Sequence, residues 1–179
     1  MLAAEPLSQI SAMDDLAACW AGLALLADRH VTKLMDGNVS GLPNHLFPEG
    51  YDLLDGNVAY LGCFGMSAAG FSEQARQAAQ RAFLPGSEGG RFGQNDVGVP
   101  TFLAWRKERE AGWCLEADLA ILAAVASQAL HVTGHHAPPA LAVLVDEIRS
   151  IFPSPRPIDR MAPSMEALCN SFSARIHRP

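Results

Sequence analysis

The residues whose types and spacing could do chemistry are concentrated in the segment "GRFGQNDVGVP", residues 90–100. Gln94, Asn95 and Asp96 place two amides and a carboxylate between glycines, directly before an apolar run with helical spacing. The first turn of a helix carries unpaired amides and about half a positive charge. Gln94 and Asn95 could therefore bind an anionic or amide-bearing ligand there, and Asp96 suits the helix N-cap. The alternative is a plain loop followed by a helix start.

Two other polar segments carry weaker signals. The histidines of "HVTGHH", at 131, 135 and 136, have no carboxylate or cysteine nearby to complete a coordination set. We expect surface or helix-cap histidines and no metal site. The glycine-rich stretch "GSEGGRFG" follows no strand and precedes no Gly-Lys-Ser/Thr, so we expect a mobile loop over about 85–98 rather than a phosphate site.

The acidic residues give no catalytic pattern, because no Ser-His-Asp or Cys-His arrangement can be argued from spacing. We expect six of them to be solvated charges on helices. They are Asp14, Asp15, Glu116, Asp118, Asp146 and Glu147.

Length and composition favour one folded domain over residues 1–179, since 49% of the residues are apolar. The net charge is −6 and basic residues do not cluster, which argues against nucleic acid or an anionic membrane as partner. The first residues lack the basic and apolar regions of a secretory signal, and the apolar run at 119–130 is too short to span a bilayer. We expect a cytoplasmic protein. Its four separated cysteines then serve as small core residues.

The elements that must position these groups are helices. Apolar periodicity predicts helix one over 12–36, with Ser11 and Asp14 as a capping pair and Gly37 as the left-handed closing residue. A proline- and glycine-rich connector follows. Helix two is predicted over 57–84, where glycines at 62, 65 and 70 would allow another backbone to come close.

Three more helices complete the prediction. The third runs from about 100 to 133 and ends at Gly134, the fourth covers 138–152, and the last, 158–176, is broken near Pro163. No segment alternates as a strand would. The sequence therefore predicts an all-α fold.

The third helix is too long for its own domain. Its roughly 33 residues give a rod of roughly 50 Å, whereas a domain of this size is about 35 to 40 Å across. Its middle, "LAILAAVASQAL", is apolar nearly all round and must be covered on all sides. We infer a long-helix bundle that is completed by helices of other chains.

The order of motifs adds a resemblance. The sequence contains, in order, "EPLSQISAMDDLA", "LMDGNVSGLPNHLFP", "AAGFSEQ", "GQNDVGVPTFLAWRK", "LAAVASQAL", "HHAPPAL", "EIRSIFP" and "IDRMAPSMEAL". In this order and spacing it resembles the C-terminal half of the aromatic amino acid ammonia-lyase family, which includes histidine and phenylalanine ammonia-lyases and related aminomutases. The resemblance covers almost the whole chain and implies that family's tetrameric helix bundle.

The resemblance also implies roles for the polar tripeptide. In the family this tripeptide is Gln-Glu-Asp or Asn-Gln-Asp and its middle residue faces the substrate; here it is Gln94, Asn95 and Asp96, with a shorter, neutral middle side chain. The family forms a methylidene-imidazolone electrophile from an internal Ala-Ser-Gly, which this sequence lacks. "MLAA" stands where the family has Gly-Asn-Phe-His-Gly before the Glu-Pro. We therefore expect the electrophile and the tyrosine base on a separate N-terminal-half chain.

These observations lead to one function and two alternatives. The leading hypothesis is a subunit of a heteromeric ammonia-lyase-like enzyme, a hetero-oligomer of tetrameric-bundle type, that is inactive alone. The first alternative is a non-catalytic scaffold that stabilises a partner. The second is a complex repurposed to cyclisation or dehydration in natural-product biosynthesis.

Overall fold

The computed structural model describes residues 4–47, 61–82, 101–153 and 161–176. Within these ranges it contains α-helices and two 3₁₀ turns and no strand, which confirms the all-α prediction. The turns are Asn44–Leu46 and Pro139–Leu141. The α-helices are α1 (Ala4–Met35), α2 (Gly37–Ser40), α3 (Gly62–Ala78), α4 (Thr101–Thr133), α5 (Ala142–Ile151) and α6 (Met161–Ile176).

The helices α1, α3 and α4 pack in layers built mainly from alanine. One layer joins Ala17, Ala78 and Ala111, one residue from each helix. The next joins Ala21 and Ala24 of α1 with Ala75 and Cys114. Residue numbers rise together along α1 and α4 and fall along α3, so α3 runs antiparallel to the other two. Small side chains in the layers let the three backbones approach closely, as helix packing over short distances requires.

A larger core lies at the C-terminal ends of α1 and α4, where α5 and α6 cover them. Val31, Ile121, Phe152 and Leu168 are each at most 2% exposed there. The rings of Phe64 and Phe152 lie 5.7 Å apart between centroids. This cluster supplies most of the large apolar side chains that the chain buries by itself.

The middle of α4 is covered mainly by the chain itself, which corrects the expectation that foreign chains must cover it. Ile121, Ala124, Val125 and Ala129 are all buried in the core just described. Most of the large apolar residues of α4 that remain uncovered lie nearer its start, where Phe102 is 85% exposed, Trp113 50% and Trp105 44%; in the middle, Leu119 is 38% exposed. The need for further cover therefore belongs to another part of the helix.

The start of α1 differs from the prediction. The helix begins at Ala4, so Ser11 and Asp14 lie inside it and do not cap it. Gly37 is also different, because it opens α2 and the left-handed residue is Gly41, with a φ of 70°. A Cβ at Gly37 would lie 2.8 Å from the carbonyl oxygen of Leu42, which explains why this position has no side chain.

The later helices follow the prediction more closely. The predicted end of α4 at residue 133 is confirmed, and Gly134, which follows it, has the left-handed φ of 65°. The helix α3 ends earlier than predicted, at Ala78. The predicted break at Pro163 is wrong: α6 starts at Met161, so this proline stands in the first turn, where its missing N–H would have no intrahelical partner.

Two helices are long and apolar enough to cross a membrane by length and composition, namely Gln9–Met35 and Thr101–Thr133. The apolar run at 119–130 is thus part of a longer segment that meets the length criterion. A core helix of a globular protein passes the same test, and 56% of the α4 window is buried inside the chain. That the protein has no membrane partner stays a prediction.

Candidate functional site

The predicted site residues Gln94, Asn95 and Asp96 lie outside the described residues, as does the glycine-rich loop at 85–98. The described range that precedes them ends at Ala82, and contacts with two helices hold its last residues in place. Asp14 of α1 accepts a buried hydrogen bond of 2.9 Å from the backbone N–H of Ala82. Lys107 of α4 donates to the carbonyl oxygen of Gln80. These contacts hold residues 80–82, the point from which the chain continues to the tripeptide, against both α1 and α4.

A polar groove lies beside this point, between α3 and the first turns of α4. It has a volume of about 410 Å³ and is lined by Gln74, Gln77, Arg106, Lys107 and Glu110 together with two apolar residues. The amide of Gln74 donates to Glu110, so that carboxylate is already engaged. The described lining combines amides, two cations and one carboxylate, and the groove therefore suits the binding of a polar ligand.

Aromatic side chains continue this surface along α4. The guanidinium of Arg109 lies 4.8 Å from the ring centre of Trp105, a cation–π contact. Trp113 meets Phe71 edge to face, with centroids 5.3 Å apart. Both tryptophans are nevertheless about half exposed. Residues of these types form the energetic centres of protein interfaces.

The most strained backbone in the described part of the chain lies between Pro43 and Phe47. His45 and Leu46 have φ values of 55° and 57°, and within the described ranges they are the only non-glycine residues with positive φ. The left-handed conformation costs about 1 to 2 kcal/mol for such residues. Strain of this kind persists only where the surroundings fix it, and it is enriched at functional sites. This segment is therefore a second candidate site.

Buried and polar contacts hold the strained segment in place. Gln128 of α4, itself buried, donates its side-chain amide to the carbonyl oxygen of Leu46 at 3.1 Å. Asn44 accepts from the backbone N–H of Gly37 at 3.2 Å, and Asp36 caps α2 by accepting from Asn38 at 2.9 Å. Leu46 is 1% exposed. The backbone of His45, between Asn44 and Leu46, is thereby held near the C-terminal end of α1.

His45 is half-buried and its Nδ1 atom is fully buried. An imidazole has two ring nitrogens that can donate or accept hydrogen bonds, so a half-buried one beside a strained backbone is suited to orienting a ligand. Sequence reasoning missed this residue, because the connector "GLPNHLFPEG" was interpreted only as irregular chain. The available signal was a single histidine between two prolines.

The prediction of solvated carboxylates is wrong for two residues. Asp14 is 4% exposed and Asp118 is fully buried, whereas Asp15 and Asp146 are exposed as predicted. Glu116 and Glu147 are half-buried and accept hydrogen bonds from Ser173 and Ser171 of α6. Burial, and next the negative charge of Asp28, raise the pKa of Asp118 to about 8.

The histidines and cysteines give no metal site in the part of the chain that the structure describes. The three histidines at 131, 135 and 136 are exposed. No group of three histidine, cysteine, aspartate or glutamate residues within the described ranges could hold a metal ion, and the absence of metal stays a prediction. Among the cysteines, Cys114 is buried as predicted, but Cys19 is exposed.

Comparison with known proteins gives a fold and no closer relative. No protein-family model and no curated protein matches the sequence. Tyrosine aminomutase from Streptomyces globisporus has a similar structure, with a TM-score of 0.79 at 21% identity over 92% of this chain. Histidine ammonia-lyase from Trypanosoma cruzi gives 0.77 at 18% identity, and the ergothioneine-degrading ergothionase from Treponema denticola gives 0.69 at 17%, each also over 92% of the chain.

The similarity covers only a part of each neighbour. The chain spans 31% of the aminomutase, 32% of the ammonia-lyase and 33% of the ergothionase. The chain therefore has the helical fold of one third of an aromatic amino acid lyase or aminomutase, and at these identities the likeness extends to the fold alone.

Proposed function

We propose that this chain is the C-terminal-half subunit of a heteromeric enzyme of the aromatic amino acid ammonia-lyase type. A separate N-terminal-half chain carries the electrophile and the base. The fold likeness to an ammonia-lyase, an aminomutase and ergothionase over about nine tenths of the chain supports the class of enzyme. The small share of each neighbour that is covered supports a need for further parts.

The observation that carries the proposal is the distribution of large and small side chains on α1 and α4. Alanines fill the layers between the helices of this chain, while Leu23 and Leu26 of α1 point outward and are each 51% exposed. The tryptophans of α4 are exposed in the same way. Monomeric proteins expose single apolar residues routinely but rarely a contiguous apolar face, so the leucines three positions apart on α1 and the tryptophans along α4 fit cover by helices of other chains.

In this enzyme the chain would form part of the wall of the substrate pocket and would not carry the electrophile. The sequence has no Ala-Ser-Gly, so its residues cannot form the methylidene-imidazolone, and that electrophile would belong to the partner chain. Gln94 and Asn95 would bind polar groups of an aromatic 2-amino acid, and Asp96 would cap α4. The N-terminus of α4 would favour negative charge that develops there as the proton is removed. His45 is the described residue best suited to assist a proton transfer.

Reconstitution tests the proposal. The chain is expressed alone and together with the N-terminal-half chain, and release of ammonia from aromatic 2-amino acids is measured. We expect no turnover from the chain alone and turnover from the complex. Replacing Gln94, Asn95 and Asp96 together with alanine should lower turnover by tenfold or more, because two polar contacts and the cap are lost.

A matched control replaces the exposed His135 and His136 with alanine and should leave turnover unchanged. Catalysis by the isolated chain would contradict the proposal. Undiminished turnover of the triple variant would remove the tripeptide from the site.

Two other functions follow from the missing Ala-Ser-Gly and the neutral Asn95. One is a non-catalytic scaffold that stabilises its partner. The other is a complex that performs cyclisation or dehydration in natural-product biosynthesis without the imidazolone. The ultraviolet absorbance band of the imidazolone separates them from the leading proposal, because it is present in the purified complex only if the partner chain forms that group.

A further inference from the structure

Asp118 lies in the interior of the helix bundle, where no described residue forms a hydrogen bond with its carboxyl group. It is 0% exposed, and neither carboxyl oxygen has a hydrogen-bond partner among the described residues. It stands one turn after Cys114, which packs in the alanine layer with Ala21 and Ala24 of α1. The carboxyl group therefore lies where α4 packs closely against the rest of the chain.

The charged groups around it do not favour ionisation. From α1, Asp28 acts on Asp118 with a negative charge. From α3, Glu73 raises the pKa of Asp28, although burial raises that pKa more and Arg29 lowers it. On α4 itself, burial raises the pKa of the Cys114 thiol to about 12, and Glu110 and Asp118 add to that rise. Among the described residues, no cation is found with the groups that shift the pKa of Asp118.

The two protonation states of Asp118 differ greatly in what they cost this site. A protonated carboxyl group is neutral, and its O–H can donate to a carbonyl oxygen of the preceding turn, as serine and threonine hydroxyls do in helices. An ionised carboxylate without a cation is expensive in a buried, apolar site. The free-energy cost of the ionised form falls only if α1 and α4 separate far enough for water to reach the carboxylate.

We propose that Asp118 is a pH-sensitive latch between α1 and α4, closed while its carboxyl group is protonated and loosened when that group ionises in mildly alkaline solution. The same two helices carry the outward-facing leucines and tryptophans. Loosening the latch therefore changes the surface that the chain offers to other chains.

The direction of the pH effect follows from the raised pKa. In the folded chain the carboxyl group holds its proton up to about pH 8, whereas in the unfolded chain it releases it near its ordinary pKa of 3.8. Between these limits the folded state binds one more proton, so stability is highest at low pH and falls as pH rises. The unfolding constant should rise up to tenfold per pH unit in this window.

The test uses the full chain in the oligomeric form in which it purifies. Urea unfolding and hydrogen exchange of the α1 and α4 amides are followed from pH 5 to pH 9. We expect the wild type to lose stability and amide protection as pH rises, and D118N to have a much flatter profile. D146N, which removes an exposed carboxylate on α5, should behave like the wild type. D28N should retain the loss but reach its end at lower pH.

Carbon-13 NMR of the aspartate carboxyl groups gives a second readout that does not depend on the folding of D118N. The resonance that disappears in D118N, or that is assigned through bonds if that variant does not fold, should titrate near pH 8 in the wild type. Titration of Asp118 near pH 4 would overturn the proposal. So would a D118N profile that follows the wild-type pH dependence.

Discussion

At the scale of single residues, His45 and Leu46 adopt side by side a backbone conformation that sterics disfavour in all residues but glycine. The burial of Leu46 and the amide of Gln128 hold them there. The hydrogen bond contributes about 1 kcal/mol net and burial of a leucine side chain about 2 kcal/mol, which is comparable to the strain of about 2 to 4 kcal/mol for the two residues. The segment is thus fixed by its contacts with α4 and not by local preference.

Replacing His45 with glycine should leave the chain about 1 kcal/mol more stable than replacing it with alanine, because glycine adopts a positive φ without the steric cost. Urea unfolding at constant pH measures the change. His45→Ala serves as the matched control: it also removes the imidazole but keeps the strain, and it should not be stabilised. Loss of turnover in both variants of the complex would assign the imidazole to catalysis or ligand orientation. A glycine variant no more stable than the alanine variant would show that the segment is not strained.

The sequence does not show which individual carboxylates are buried when the helices pack together. Asp118 follows "CLEA" on a helix, where alternating charged and apolar residues are typical of a solvated face, and only packing against other helices reveals that it is buried. Asp14 looked like a capping residue but binds the backbone of Ala82, which is 68 positions away. Tertiary partners at such separations leave no local trace in the sequence.

At the scale of helices, α4 could be predicted well and α1 less so. A continuous apolar periodicity and a terminal Gly134 define α4, and the structure confirms its end. The false capping pair displaced the start of α1 by several residues. The glycines of α3 are predicted to meet another backbone, but a Cβ at Gly65 or Gly70 would have no described residue within 4 Å.

Gly112 is the glycine that the packing of α1 against α4 requires. A Cβ at this position would lie 2.6 Å from Cζ3 and 2.9 Å from Cε3 of Trp20. We expect Gly112→Ala to destabilise the chain by about 1 to 3 kcal/mol, because the indole ring must leave its place between the helices. Thermal unfolding measures the loss, and a shift in tryptophan fluorescence reports the displaced ring.

Gly70→Ala is the matched control on α3. The new methyl group meets no atom of the described residues, so the gain in helix propensity should stabilise the isolated chain by up to about 1 kcal/mol. A Gly112→Ala variant as stable as the wild type would show that Trp20 is free to rotate and does not hold the two helices together.

At the scale of the whole molecule, the sequence predicted a bundle completed by other chains but placed the uncovered surface incorrectly. Uniform apolarity pointed to the middle of α4, yet α1, α3, α5 and α6 together bury most of it. The exposed apolar side chains are instead those that periodicity alone would place in a core, such as Leu23 and Leu26 on the second face of α1. A helix with two apolar faces does not reveal which of them its own chain covers.

Changing the outward face of α1 to charge should abolish assembly while preserving the fold. Leu23 and Leu26 are each 51% exposed, so Leu23→Glu with Leu26→Lys costs the isolated chain little, and helical circular dichroism should be retained. In the assembly the same side chains would be buried, and removing two charges from water would cost several kcal/mol even if they pair with each other. Light scattering after size-exclusion chromatography should show an oligomer for the wild type and a monomer for the double variant.

The control, Val143→Glu on α5, changes a residue that is 81% exposed and should leave the oligomer intact. A monomeric wild type with a fully folded circular dichroism spectrum would mean that the outward leucines have no partner, and the heteromeric subunit would lose its main support.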